Sequence, residues 1–318
     1  MSQFVQTAAD GTALLSVGLW VLFAGIAWEL YVPYLAGAVT LIIGIVGVRK
    51  QVSMAQGSDR IVAFGPMFLA VPMVVFGAEH FVFSESVSPM VPSWIPWHLF
   101  WVLFVGICLI VGALSLVLRR YATLAAASFG TMLLFFELLI HIPRIVQAPS
   151  DRFAWAVAVR DLAVAAGALS FAALRVPPQW THFAGKIPAL ARFVIGIAVV
   201  FFAVEHFLHP EFNPGVPLKQ LTPLSIPVRV PLAYLTGTVL LATGLGLICN
   251  RSARFAASTL GLLFLLLVIV LYIPIVIAQP SAIGNGLNYL VDALLFSGSA
   301  LCLAESQTDG TSSRTHVA

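Results

Sequence analysis

From Thr12 almost to Glu305 the chain is a succession of apolar runs, separated by short charged or Pro/Gly-rich breaks. Each run approaches the length of about 17 to 25 residues that a helix needs to cross a bilayer. A helix also satisfies its own backbone N–H and C=O groups, which hydrocarbon cannot do for it. The expected fold class is therefore all-α integral membrane, with the lipid bilayer as its main partner. Charged residues make up only 9% of the chain, against about 25% in soluble domains, and no stretch is long and polar enough for a soluble domain. The net charge of +3 comes without a basic block, which excludes a nucleic-acid footprint. Cys108, Cys249 and Cys302 fall inside expected spans without CxxC spacing and read as small packing residues. The opening MSQFVQTAADGTALL has no positive n-region, so its helix is expected to be retained.

Ten transmembrane helices are expected, near residues 12–31, 34–48, 61–81, 97–118, 122–142, 154–174, 188–208, 229–249, 253–273 and 286–304. One helix over 12–48 would be about 55 Å long against a core of about 30 Å, so a hairpin opened by Pro33 is expected there. If both termini are cytoplasmic, Arg49, Lys50, Arg60, Arg119, Arg120, Arg175, Lys186, Arg192, Arg251, Arg254 and Arg314 fall on that side. Arg144, Arg152, Arg160, Lys219 and Arg229 fall on or near the other. Eleven against five selects this orientation by the positive-inside rule. The expected location is a cell membrane, multi-pass, of the bacterial inner-membrane kind.

The sequence also repeats itself. FGAEHF at Phe76–Phe81 returns as FAVEHF at Phe202–Phe207, and the offset is 206 − 80 = 126. Beyond the next loop the offset becomes 131, so from the Glu-His pair to the Ile-Pro the second copy, with the loop HPEFNPGVPLKQLTPLSIP, carries five residues more than the first, with SESVSPMVPSWIP. In that register Gly106 matches Gly237, Arg120 matches Arg251, Ile142-Pro143 matches Ile273-Pro274, and Asp161 matches Asp292. Four spans per copy insert both copies the same way up, with a pseudo-twofold axis along the membrane normal. The expected organisation is an N-terminal hairpin (1–50), two tandem like-oriented four-helix bundles (61–175 and 186–305), and a disordered cytoplasmic tail (306–318).

An E-H-F ending to the first helix, a Pro-rich loop closing in I-P, a Gly-containing second helix, a basic turn and an I-P closing the third occur together in both copies. In these features residues 61–304 resemble the DoxX-like integral membrane proteins, whose unit is a four-helix bundle. The resemblance implies that fold, and it brings in a redox association, since one member is a subunit of a thiosulfate:quinone oxidoreductase.

Ionisable residues inside a membrane are costly and mark functional positions by default. Here they share one leaflet. Glu79, His80, Glu205, His206 and Asp292 are candidate cofactor-binding residues, and Glu137, His141, Arg144, Arg160 and Asp161 are candidate catalytic residues. The competing reading of the pairs Glu79/Glu205, His80/His206 and Asp161/Asp292, present in both copies, is that they bond helices one and four within each bundle. Glu137, His141 and Arg144, at i, i+4 and i+7, share one face of an uninterrupted α-helix. The second copy has Val268, Tyr272 and Ile275 there, and Val291 for Arg160, which points to the first copy as the site.

A layer of acids and imidazoles beside aromatic-rich helices suits a quinone headgroup and its protons. The first functional reading is therefore a quinone-linked redox subunit, or the membrane partner of an oxidoreductase. Without a dinucleotide fingerprint or a thiol pair, its electrons come from a redox partner protein. Haem between His80 and His141 is the competing cofactor, and no metal site is expected. The alternatives from other classes are non-enzymatic binding or transport of a small molecule or lipid, and a scaffold for an extracytoplasmic partner.

Overall fold

The computed structural model describes residues 28–216, 219–224, 226 and 228–307. Among these residues the chain is helical throughout, and nine helices are long and apolar enough to cross a membrane. They are α1 Tyr31–Met54, α2 Asp59–Val82, α3 His98–Val117, α4 Ala122–Gln147, α5 Arg152–Ala173, α6 Pro178–Leu208, α7 Arg229–Ile248, α8 Ala253–Ala278 and α9 Ile283–Ser306. They answer to the last nine expected spans. The expected helix at 12–31, apart from its last four residues, and all but the first residues of the expected tail lie outside the described residues. Leu, Val and Phe side chains stand exposed along α1 and α3, as on a lipid-facing surface.

Local chemistry explains where the helices start and bend. Asp151 caps α5: its Oδ1 accepts from the backbone N–H groups of Phe153 at 3.0 Å and Ala154 at 3.3 Å. A little desolvation works against it, but those two N–H groups and Arg144 hold the Asp151 carboxyl below its ordinary range. Helices α4 and α8 each contain one π-turn, Glu137–His141 and Val268–Tyr272, immediately before the repeated Ile-Pro. Proline has no N–H, and its ring clashes with the carbonyl four residues back. Widening the preceding turn accommodates both defects, so α4 and α8 run on to Gln147 and Ala278 where breaks at 142 and 273 were expected.

Helices α2 to α9 pack on their neighbours in chain order, and α9 closes the circle against α2. Helices α5 and α9 also pack on each other through the middle, while α1 lies outside against α2. The fourth helix of each repeat therefore packs along the first helix of the other repeat, α5 on α6 and α9 on α2, and much less on its own. Two separately closed bundles were the expectation. The physical reason for the exchange lies in the small residues of the fourth helices, AVAAGALS at 163–170 and SGSA at 297–300. In lipid, helices associate where small side chains let backbones approach. At Gly167 an added Cβ would lie 2.7 Å from the Ser299 Cα, and at Gly298 one would lie 2.7 Å from the Leu69 nitrogen.

Charge follows the same plan. Four arginine–carboxylate pairs tie one repeat to the other: Arg152–Glu205 at 2.8 Å, Arg160–Asp292 at 2.5 Å, Arg254–Asp59 at 2.5 Å, and Arg175–Glu305. The first two lie at the end where α2, α4, α6 and α8 finish. The last two lie at the opposite end, where Arg49, Lys50, Arg119, Arg120 and Arg251 also collect at helix ends and turns. Between the ends the interior is apolar, with Phe296 packed on Phe264 at 4.5 Å and on Phe202 at 5.8 Å between ring centroids.

Candidate functional site

The two Glu-His pairs sit at the same end of the molecule, closing α2 and α6. Their histidines are built into the helix packing in the same way. His80 Nδ1 donates to the Phe76 carbonyl at 2.7 Å, and His206 Nδ1 donates to the Phe202 carbonyl at 2.6 Å. Helices α3 and α7 cross directly over these rings. A Cβ on Gly106 or on Gly237 would come within 2.9 Å of the histidine Cβ, so the matched glycines and matched histidines are one contact used twice.

The second pair is further engaged. His206 is 1% exposed, and its Nε2 accepts from the backbone N–H of Gly215 at 2.9 Å. With one nitrogen donating and the other accepting, the ring has no site left for an axial metal bond. Gly215 itself adopts φ +111°, a conformation that favours glycine. Glu205 is held by Arg152, whose guanidinium also lies 4.1 Å from the Phe212 ring centroid. Replacing His206 with Ala is expected to cost about 1 to 3 kcal/mol, since it leaves the Gly215 N–H without its acceptor. Unfolding in detergent measures this, and an unchanged stability would remove the stapling role.

The five extra residues of the second loop account for this engagement. The loop folds inward, burying Asn213 and Val216. The Tyr272 hydroxyl donates to the Pro214 carbonyl at 2.7 Å, while the Tyr289 hydroxyl accepts from the N–H groups of Lys219 and Gln220. The shorter loop of the first repeat makes only the turns Ser84–Val87 and Ser88–Met90, neither with a buried residue. The second loop thus closes over His206, and it also reaches the start of α5, where the Lys219 ammonium lies 4.2 Å from the Phe153 ring centroid.

A connected cluster lies where α4, α5 and α9 meet. Arg160 donates from Nε to Asp161 Oδ1 at 2.8 Å and from Nη1 to Asp292 Oδ2 at 2.5 Å, bridging the two fourth helices. The second oxygen of Asp161 faces His141 Nε2 at 3.0 Å. Glu137, one π-turn before His141, brings a carboxylate oxygen within 4.8 Å of the donor atoms of both His141 and Asp161. Glu137 is 8% exposed, and its Oε1 has no hydrogen-bond partner among the described residues; nor do Asp292 Oδ1 and Glu79 Oε1. Glu79 lies within hydrogen-bonding reach of Asn288 on α9, again across the repeats. The His141 side chain keeps 13% exposure, beside the exposed Leu138 and Ile142. The arrangement can pass a proton between imidazole and carboxyl, and it presents three donor atoms that could hold a cation.

Of the ten expected residues, the structure joins Glu137, His141, Arg160, Asp161 and Asp292 in one cluster. It sets Glu79 and His80 at the end of α2 and uses Glu205 and His206 to close the second repeat. Arg144 stands apart. Its side chain is 52% exposed and meets Asp151 at 3.4 Å, because the π-turn breaks the α-helical spacing that would have aligned it with His141. Glu205 bonds Arg152, joining the first helix of one repeat to the fourth of the other, whereas Asp161 and Asp292 meet through Arg160 between the two fourth helices. Arg152, Asn288, Tyr272 and Tyr289 went unrecognised as parts of the layer; the longer second loop was the signal that could have found the tyrosines. No family model, curated protein or solved structure matches the chain.

Proposed function

We propose that this chain is a membrane protein that binds a quinone headgroup beside His141 and exchanges protons with it, as a subunit or membrane partner of an oxidoreductase. The observation that carries this reading is the His141–Asp161 pair, 3.0 Å apart and partly exposed. Arg160 fixes one oxygen of Asp161, so the other is presented to the imidazole. Reducing a quinone to the quinol takes two electrons and two protons. His141 and Glu137 supply a route for the protons, and the electrons come from a redox partner protein. The DoxX-like resemblance supports the same class, as does the partial exposure of His141 beside the exposed Leu138 and Ile142. We read the Lys/Arg-rich end as cytoplasmic by the positive-inside rule, which puts the site near the outer face. Transport is the weaker reading, because the ion pairs lie toward the two ends and the interior between them is packed with Phe, Leu and Ala side chains.

Binding of a short-chain ubiquinone analogue to the purified chain tests this. His141→Ala is expected to weaken it at least about tenfold, near 1.4 kcal/mol, while the exposed His182→Ala, at the far end, leaves it unchanged. Equal affinity in wild type and His141→Ala would rule out this site.

A further inference from the structure

We infer that Glu137, His141 and Asp161 form a binding site for one divalent first-row transition-metal cation. The inference does not need the quinone reading, but it shares His141 and Asp161 with it: a bound cation would replace the proton between His141 Nε2 and Asp161 Oδ2. Three observations carry it.

The first is donor geometry. One oxygen of Glu137, one nitrogen of His141 and one oxygen of Asp161 all lie within 4.8 Å of one another. A cation about 2.1 Å from both His141 Nε2 and Asp161 Oδ2 would subtend an angle near 90°, given their separation of 3.0 Å. Opposed ligands on such a cation stand about 4.2 Å apart, so Glu137 needs only a small side-chain rotation to complete the set. The π-turn helps, since it places Glu137 and His141 on one wide turn of α4 facing α5.

The second is the unpartnered oxygen. Glu137 is more than nine-tenths buried, yet its Oε1 has no hydrogen-bond partner among the described residues. In a hydrocarbon setting such an oxygen is costly. Arg160 does not answer it, because that guanidinium donates to Asp161 and Asp292. Arg160 instead does for Asp161 what outer hydrogen bonds commonly do for ligating carboxylates: it holds one oxygen and leaves the other aimed at His141.

The third is charge. Arg160 is shared between Asp161 and Asp292, so the two ligating carboxylates, Glu137 and Asp161, keep negative charge that a divalent cation would offset. Two carboxylate oxygens and one imidazole suit Mn²⁺, Fe²⁺ or Zn²⁺ better than soft thiophilic ions, and three protein ligands leave positions open on the exposed side. The second repeat has Val268 and Tyr272 in place of Glu137 and His141, so the expected stoichiometry is one cation per chain and not two.

The test uses the full chain purified in detergent, stripped with chelator and titrated at neutral pH with Zn²⁺ by calorimetry and with Mn²⁺ by its paramagnetic signal, without quinone. The expected result is one cation bound per chain, with affinity at least tenfold lower in Glu137→Gln and in His141→Ala and unchanged in His182→Ala. Binding should also weaken as pH falls, because protons compete for the same three ligands. Wild-type protein that takes up no cation would overturn the site, and would mean that protons balance the carboxyls. Stoichiometric binding retained by both variants would overturn it equally. Glu137→Gln is nearly isosteric, and the wild-type measurement decides even if a variant fails to fold.

Discussion

Arg160→Leu is expected to lower the stability of the folded protein by about 3 to 5 kcal/mol, the usual cost of removing one partner from a buried ion pair. The side chains of Asp161 and Asp292 are only 11% and 7% exposed, and each takes a hydrogen bond from this one guanidinium. Deleting it leaves two carboxyls facing each other between α5 and α9. Arg160→Lys should recover part of the loss, since an ammonium keeps the charge but lacks the planar fork that reaches two carboxylates at once. The triple replacement of Arg160, Asp161 and Asp292 by Leu should recover most of it, because the cost lies in charges left unpaired and not in the absence of charge. Denaturant unfolding in detergent, compared across the three variants, measures this. If Arg160→Leu stayed within about 0.5 kcal/mol of wild type, a change typical of surface substitutions, the arginine would not be holding the two repeats together.

How much of this was open to a reader of the sequence depends on the distance over which each feature is decided. Spans are decided locally: twenty apolar residues in a row have one favourable state in a bilayer, so nine expected helices correspond to α1–α9 with shifts of a few residues at most ends. The run-on of α4 past Ile142-Pro143 was less accessible, since the π-turn that absorbs the proline has no composition of its own. It also decided the fate of Arg144, which the i, i+4, i+7 spacing had placed beside His141. Pairings across the ring were hidden for a different reason. Arg152 looks like a charge in a loop until α5 is known to lie along α6, where it meets Glu205. Asp161 and His141 are likewise separated by a turn whose geometry decides whether they touch. What the repeat did reveal was asymmetry: the absence of Glu137, His141 and Arg160 equivalents from the second copy directed attention to the first, where the cluster lies.

Gly298→Val is expected to cost about 3 kcal/mol, the upper end of the usual range for overpacking, and it bears directly on the exchange of the fourth helices. A Cβ at Gly298 would lie 2.7 Å from the Leu69 nitrogen and from the Phe68 carbonyl carbon, and 3.0 Å from the Gly65 oxygen, all backbone atoms of α2. Backbone cannot rotate aside as a side chain can, so α9 and α2 must separate along the contact. Gly167→Val should behave alike at the α5/α9 crossing, where the nearest atoms are Ser299 Cα, Cβ and carbonyl oxygen at 2.6 to 2.7 Å. Gly112→Ala is the control: its new methyl would meet only the terminal methyl of Met73 at 2.8 Å, and a flexible thioether can move for well under about 1.5 kcal/mol. Thermal unfolding in detergent should therefore separate the first two variants clearly from the third. The Gly298 result is the more informative, because α9 belongs to the second repeat and α2 to the first. A nearly silent Gly298→Val would count against the close approach of α9 to α2, and a large loss is what that approach requires. The polar layer exists only where the two repeats interlock, because Arg160 comes from one copy and Asp292 from the other.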